Sequence, residues 1–156
     1  MTAVAGQPRW LSAEEQTSWR AYLHGSRILE VALDADLSGH GLSLPEYEII
    51  SMLSEAEGGR MRMSALADLV VQSRSRVTHT ASRLERRGLV AREPCVEDGR
   101  GVELVLTEEG REVIERLARV HVESVRTHFV DLLTPEQFAE IGAAMALVRD
   151  HGRRRR

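Results

Sequence analysis

RSRVTHTASRLERRG, residues 74–88, is the stretch that decides the fold. Val77, Ala81 and Leu84 fall on one face of a helix, and every residue between them is polar. Such a helix buries one narrow stripe and leaves the rest of its surface open. Arg74, Ser75, Arg76, Thr78, His79, Ser82, Arg83, Arg86 and Arg87 share that open surface, and Gly88 stops the helix. A helix about 10–12 Å wide fits the major groove of a B-form duplex. Arginine forks suit guanine edges and phosphates, and short hydroxyls tolerate close approach. Ser73, or Arg74 just after it, stands at the N-terminus, where free N–H groups and the helix dipole favour a phosphate.

Working outward, Ser64 is placed to cap a short helix carrying Leu66, Ala67, Leu69 and Val70. Gln72 and Ser73 then form a tight polar break before the basic helix. Downstream, LVAREPCV and VELVLT read as two short strands joined through EDGRG. Asp98 and Gly99 signal a hairpin because that turn needs positive φ, and Pro94 confines its strand to a sheet edge. At the tip, Arg100 lies between Gly99 and Gly101, in a loop slim enough to enter a narrow, electronegative minor groove. Asp98 is placed to hydrogen-bond Arg100 and hold it extended.

Longer helices flank this unit. SAEE from Ser12 is a capping box, and Trp19, Tyr22, Leu23, Ile28, Leu29, Ala32, Leu33 and Leu37 recur at helical spacing until Gly39 and Gly41. That predicts a helix of about 25 residues, ~38 Å long. SLPE from Ser43 starts a second helix with Tyr47, Ile49, Ile50 and Leu53, stopped by Gly58 and Gly59, and residues 61–63 form a short extended bridge. Thr107 caps a long helix in which Val113, Ile114, Leu117, Val120, His121, Val125, Phe129 and Leu132 or Leu133 are periodic. TPEQ from Thr134 opens a last helix with Phe138, Ile141, Met145 and Val148.

The predicted order is α-α-α-α-β-β-α-α: a mainly α chain with a small β-hairpin wing, a winged helix-turn-helix between long terminal helices. The first and last helices carry more apolar surface than the small winged unit covers. A second copy would bury it in an isologous interface and set two basic helices about 34 Å apart, one duplex turn. Residues 1–42 are read as an N-terminal dimerisation helix and 43–110 as the DNA-binding unit. Residues 111–152 are read as C-terminal dimerisation helices, and 153–156 as a basic tail.

Composition narrows the function further. At 156 residues, 42% hydrophobic and 29% charged, the chain suits one compact domain with a tail or two. No run of ~18 apolar residues supports a membrane-spanning helix. The start, MTAVAGQPRW, lacks the apolar core of a secretory signal, and Cys95, the single cysteine, has no internal disulfide partner. A cytoplasmic, reducing compartment is the simplest reading. Aromatics at 4% argue against base-stacking surfaces for single strands. The net charge is −3, and all 21 basic residues are arginine. Residues 1–59 hold three arginines against nine acids, residues 60–100 nine against five, and the remainder nine against ten. An acidic protein with a basic middle has the local electrostatic footprint of a polyanion binder.

The run RMSALADLVVQSRSRVTHTASRLERRGLVAREPCVEDGRGVELVLTEEG resembles the MarR family of bacterial transcriptional regulators. LADLV, R-L-E-R-R-G-L-V, the D-x-R from Asp98 to Arg100 and L-T-x-x-G from Leu106 to Gly110 carry the likeness, which is good over residues 43–110 and by pattern only in the flanking helices. It implies a homodimer that binds a pseudo-palindromic DNA duplex, usually as a repressor released by a small ligand or by oxidation. A small-molecule inducer is thus a candidate partner beside double-stranded DNA. On this reading Arg74, Ser75, Arg76, Thr78, His79 and Ser82 meet the major groove. Ser73, Arg83 and Arg86 meet phosphates. Arg100 enters the minor groove, supported by Asp98, Gly99 and Gly101.

The remaining candidates read more plainly. Cys95 lies on the wing strand and not in the first long helix, where peroxide-sensing relatives carry their thiolate, so it is read as inert. His121 and His128 stand seven apart, whereas two zinc ligands on one helix prefer i, i+4, so no metal or other cofactor is expected. Trp19, Arg20, Arg27 or His121 are candidates to line a ligand crevice, with core or dimer packing the simpler role. No catalytic set is present, and the chain is not read as an enzyme. The alternative reading is a winged-helix module that binds protein. It calls for a basic helix paired with acids, and within that helix only Glu85 is acidic.

Overall fold

The computed structural model describes residues 8–95 and 101–154. In chain order the elements are α1 (Ala13–Ser38), α2 (Leu44–Glu55), β1 (Arg60–Arg62), α3 (Met63–Leu69), α4 (Arg74–Arg86), β2 (Val90–Pro94), β3 (Val102–Leu106), α5 (Glu108–His128) and α6 (Pro135–Arg153). The fold is the mainly α winged helix-turn-helix with long flanking helices that the sequence predicts. No helix among the described residues is long and apolar enough to cross a membrane.

The helix starts follow from local chemistry. At α1 the Ser12 hydroxyl accepts from the Glu15 N–H at 3.1 Å, and the Glu15 carboxylate accepts from the Ser12 N–H at 2.8 Å. Thr134 and Gln137 repeat the arrangement at α6. Thr107 Oγ1 accepts from the Gly110 N–H at 3.0 Å and donates to the Gly88 carbonyl at 2.7 Å, so one side chain caps α5 and ties it to the end of α4.

The core gathers where α2, α3, α4, β3 and α5 meet. Ile49, Ile50, Leu53, Leu66, Val77, Ala81, Leu84, Leu104 and Leu117 are all buried there. Each large aliphatic side chain buried in this way contributes about 1.5–3 kcal/mol. The expected stripe of α4 is the buried one, widened by Thr80.

Four boundaries differ from expectation, two of them through tertiary contact. The expected bridge is strand β1, which pairs antiparallel with β3 (Met61 opposite Leu104), giving the sheet order β1-β3-β2. Three residues are too few to show alternation, and the strand exists because β3 offers it partners. Arg60 reinforces it by ion pairs to Glu93 at 2.7 Å and Glu103 at 3.5 Å. β2, with Pro94, is an edge strand as expected. Helix α3 begins at Met63, one residue before the predicted cap Ser64, with Arg62 at the N-cap and no side-chain cap bond. Helix α2 stops at Glu55, before the glycines. Gly58 and Gly59 shape the turn that follows, at φ of 64° and 66°. Helix α5 ends at His128 instead of running to Leu132, because Phe129 leaves helical geometry and packs edge-on against Phe138 at 5.7 Å.

Helix α6 contains no buried residue, and only Leu37 is buried in α1. Trp19 and Tyr22 stack on each other at 5.8 Å with about half their surface in solvent. Ile28 and Val31 on α1, Val122 on α5, and Phe138, Ile141, Met145, Leu147 and Val148 on α6 are exposed too.

Gly110, the last residue of the L-T-x-x-G motif, sits where α5 crosses the end of α4. A Cβ there would lie 2.1 Å from the Leu89 carbonyl oxygen and 2.7 Å from Leu106. Gly110→Ala is expected to destabilise the protein by about 3 kcal/mol through overpacking, read as a lowered midpoint in urea with an unchanged slope.

Candidate nucleic-acid interface

Helix α4 presents the expected residues, and its surroundings sort them. Ser73 is the N-cap: its hydroxyl accepts from the Arg76 N–H at 3.3 Å and lies 3.2 Å from Ser75 Oγ. Arg74, Ser75, Arg76, Thr78, His79, Arg83 and Arg86 are exposed, and Ser82 is half-buried. The last turn holds Arg83 and Arg86, which the helix dipole favours there, whereas the first turn holds Arg74 and Arg76 and no acid, so its free N–H groups are left to an anion from outside.

Two clamps grip α4 on either flank of its buried stripe. On the α2 side stands Glu46, only 2% exposed. It pairs with Arg83 at 3.2 Å and Arg87 at 3.6 Å, and accepts from the Ser43 N–H and hydroxyl at 2.9 Å each. Arg87 also donates to the Gly41 carbonyl at 2.7 Å. Arg83 is therefore partly committed to the protein, whereas Arg74, Arg76 and Arg86 make no ion pair among the described residues. Arg76 lies near the half-buried Glu48, which accepts from Gln72 at 3.1 Å. Burial and nearby Glu30 raise the Glu48 carboxyl above its ordinary value against the opposing pull of Arg76.

On the wing side stands Arg92 of β2. It pairs with Glu85, and its N–H donates to the same carboxylate at 3.3 Å. Its Nη2 donates to the Thr78 carbonyl at 3.0 Å and to Ser82 Oγ at 2.9 Å. Ser82 in turn donates to the Thr78 carbonyl at 2.9 Å. The hydroxyl expected at the major groove thus works inside the protein. Neither Arg92 nor Glu46 stood among the sequence candidates. Strand alternation carried a signal for Arg92, which shares its face with buried Val90 and follows a helix bearing one acid.

Between α4 and the wing runs a groove of about 260 Å³, lined by Arg62, Met63, Ser64, Arg74, Thr78, Gly101 and Val102. At the base of the hairpin the Cys95 N–H donates to the Gly101 carbonyl at 2.8 Å. Asp98, Gly99 and Arg100, expected at the wing tip, lie outside the described residues. Cys95 is buried, with Sγ 3.8 Å from Glu103 Oε1.

None of Trp19, Arg20, Arg27 and His121 lines either the groove beside the wing or the cleft described below. His121 packs at a 37° tilt against the Tyr47 ring, centroids 4.5 Å apart, and burial lowers its pKa. A different, open cleft of about 690 Å³ lies between α1 and α5, lined by Asp36, His40, Arg119, Glu123, Ser124 and His128 among others. Inside it Asp36 accepts from Ser124 at 2.5 Å and lies 3.1 Å from His128 Nε2, and both contacts hold its carboxyl below the usual range. No group of His, Cys, Asp and Glu among the described residues is arranged to hold a metal ion.

This geometry has relatives. Residues 40–101 match the model of the MarR family. The chain is 46% identical to AbsC, a MarR family transcriptional regulator from Streptomyces coelicolor, over 94% of this chain and 99% of that one, with a TM-score of 0.88. It is 41% identical to Sco3205 from the same organism, a MarR family regulator solved in complex with DNA, over 94% and 92% of the two chains, with a TM-score of 0.89. It is also 30% identical to the HTH-type transcriptional regulator PecS of Dickeya dadantii (strain 3937), over 81% of this chain and 76% of PecS. A winged helix-turn-helix regulator is the class that fold and site define. The chain belongs to the MarR family of transcriptional regulators, and so is not an enzyme.

Glu46 holds two arginines of the basic helix region against α2, and both arginine side chains are nearly half exposed. Glu46→Gln is expected to cost about 1–2 kcal/mol, less than for a fully buried pair because water screens the released arginines. Urea unfolding of the variant beside the wild type measures it.

Proposed function

We propose that the protein is a repressor that binds a pseudo-palindromic operator in double-stranded DNA as a homodimer. The observation that carries this reading is the open face of α4. Ser75, His79 and Arg86 are exposed, Arg74 and Arg76 flank them without an ion pair among the described residues, and the opposite edge is locked into the core. This is what a helix needs to meet base edges and phosphates without rearranging. The DNA complex of Sco3205, at 41% identity, supports the same reading.

The dimer follows from apolar surface left without a partner. Phe138, Ile141, Met145 and Val148 form one stripe along α6, and Trp19, Ile28, Val31 and Val122 add to it from α1 and α5. A second copy related by a two-fold axis covers such surfaces mutually. Residues 1–42 and 111–152 serve as its dimerisation segments and 43–110 as its DNA-binding unit. A two-fold protein lying across an operator blocks transcription by occupancy, so repression is the sign we assign. Release by a small ligand fits the cleft between α1 and α5, where an occupant would compete for the Asp36 contacts that join the two helices.

Arg76→Ala combined with Arg100→Ala is expected to weaken operator binding by at least about tenfold, since each good arginine contact is worth about 1–3 kcal/mol. Gel-shift titration at two salt concentrations tests it. Unchanged affinity in a folded variant would refute duplex binding through these elements, and binding insensitive to salt would favour the protein-binding module. Met145→Glu with Val148→Glu is expected to convert the dimer to a monomer at micromolar concentration with its helix content kept, as sedimentation velocity and circular dichroism would show.

A further inference from the structure

We propose that Arg92 is the residue that sets the sequence specificity of α4 without touching the DNA. This rests on the reading of α4 as the base-reading helix. The apolar stripe of Val77, Ala81 and Leu84 fixes how deeply the helix sits, but apolar packing is non-directional and resists rolling about the helix axis only weakly. Rolling matters because successive side chains are turned by about 100°, so a small rotation moves every base-facing group sideways together.

Two ionic contacts oppose the roll. Glu46 draws Arg83 and Arg87 toward α2. Arg92 draws the other flank toward the wing, and it does so at three successive levels of the helix: the Thr78 carbonyl, Ser82 Oγ and the Glu85 carboxylate. The Thr78 carbonyl is the informative contact. It is main chain, in the turn that also carries His79, and an arginine fork that grips backbone sets the helix itself and not merely one side chain. The Arg92 side chain is about three-quarters buried. Because β2 leads into the wing and Arg92 belongs to β2, the same residue fixes the angle between the two DNA-facing elements.

Arg92 is thus a positioning residue for base readout. Phosphate contacts tolerate a small roll because long arginine side chains reach their targets from many angles, whereas bidentate base contacts do not. Loss of Arg92 should therefore separate specific from non-specific affinity.

The test uses the full-length protein and a duplex selected by the wild type from a random-sequence pool, beside a scrambled duplex of equal length, each titrated over a salt series. Arg92→Met keeps the stem and removes the fork, and Arg92→Lys keeps the charge but not the fork. For Arg92→Met we expect operator affinity to fall by about tenfold, the size of one base mismatch. Affinity for the scrambled duplex should stay within about twofold and the salt slope unchanged, with a thermal transition well above the assay temperature. Arg92→Lys should recover only part of the loss. Equal loss on both duplexes, no loss on either, or full recovery with lysine would overturn the inference. If the wild type itself selects no duplex, the DNA-binding reading fails instead.

Discussion

Everything the protein presents to a duplex depends on one constraint, that α4 be held on three sides while its fourth stays open. Val77, Ala81 and Leu84 anchor it in the core, Glu46 holds one flank and Arg92 the other. The apolar contacts supply most of the free energy, because burial of aliphatic surface outweighs partly solvated ion pairs. The ion pairs supply direction. A helix bearing five arginines within its bounds or at its C-cap would gain little from a rigid seat if it served only solubility. A rigid seat matters when side chains must arrive at fixed positions together.

The same economy shapes the rest of the winged unit. Thr107 caps α5 and reaches back to Gly88, so the helix leaving the wing is fastened to the end of the helix that enters it. Gly110 lets these elements cross within van der Waals distance. Arg60 ties β1 to both other strands through Glu93 and Glu103. The wing is thereby built on a three-stranded base, a firmer support than a lone hairpin, which is marginal in water.

Beyond this unit the chain changes character. Helices α1 and α6 keep their apolar stripes in solvent, and the turn at Phe129 swings α6 clear of the body. Within these flanking helices Asp36 joins α1 to Ser124 and His128 of α5. A junction made of one carboxylate, a hydroxyl and an imidazole is polar and open to solvent. Small changes there are cheap compared with changes in the apolar core, so this is where α1 and the far end of α5 can adjust to each other.

Much of this was legible in the residues. Helix periodicity, the capping serines and threonines and the split of charge mark out the helices and the basic one among them, because those signals are local and act within one or two turns. The open face of α4 was legible too, since Val77, Ala81 and Leu84 leave it no second apolar side. Local signals did not reveal strand β1, the end of α5, the withdrawal of Ser82 from the open face, or the clamps at Glu46 and Arg92. Each needs a partner distant in the chain: β3 for β1, Phe138 for Phe129, and β2 or α2 for α4. The sequence by itself determined which surfaces are apolar and which are basic. Only the tertiary structure decided which arginines stay open and which are spent holding the helix, because an ion pair forms by proximity in space, and a guanidinium reads the same in the sequence whether its carboxylate lies across a groove or nowhere near.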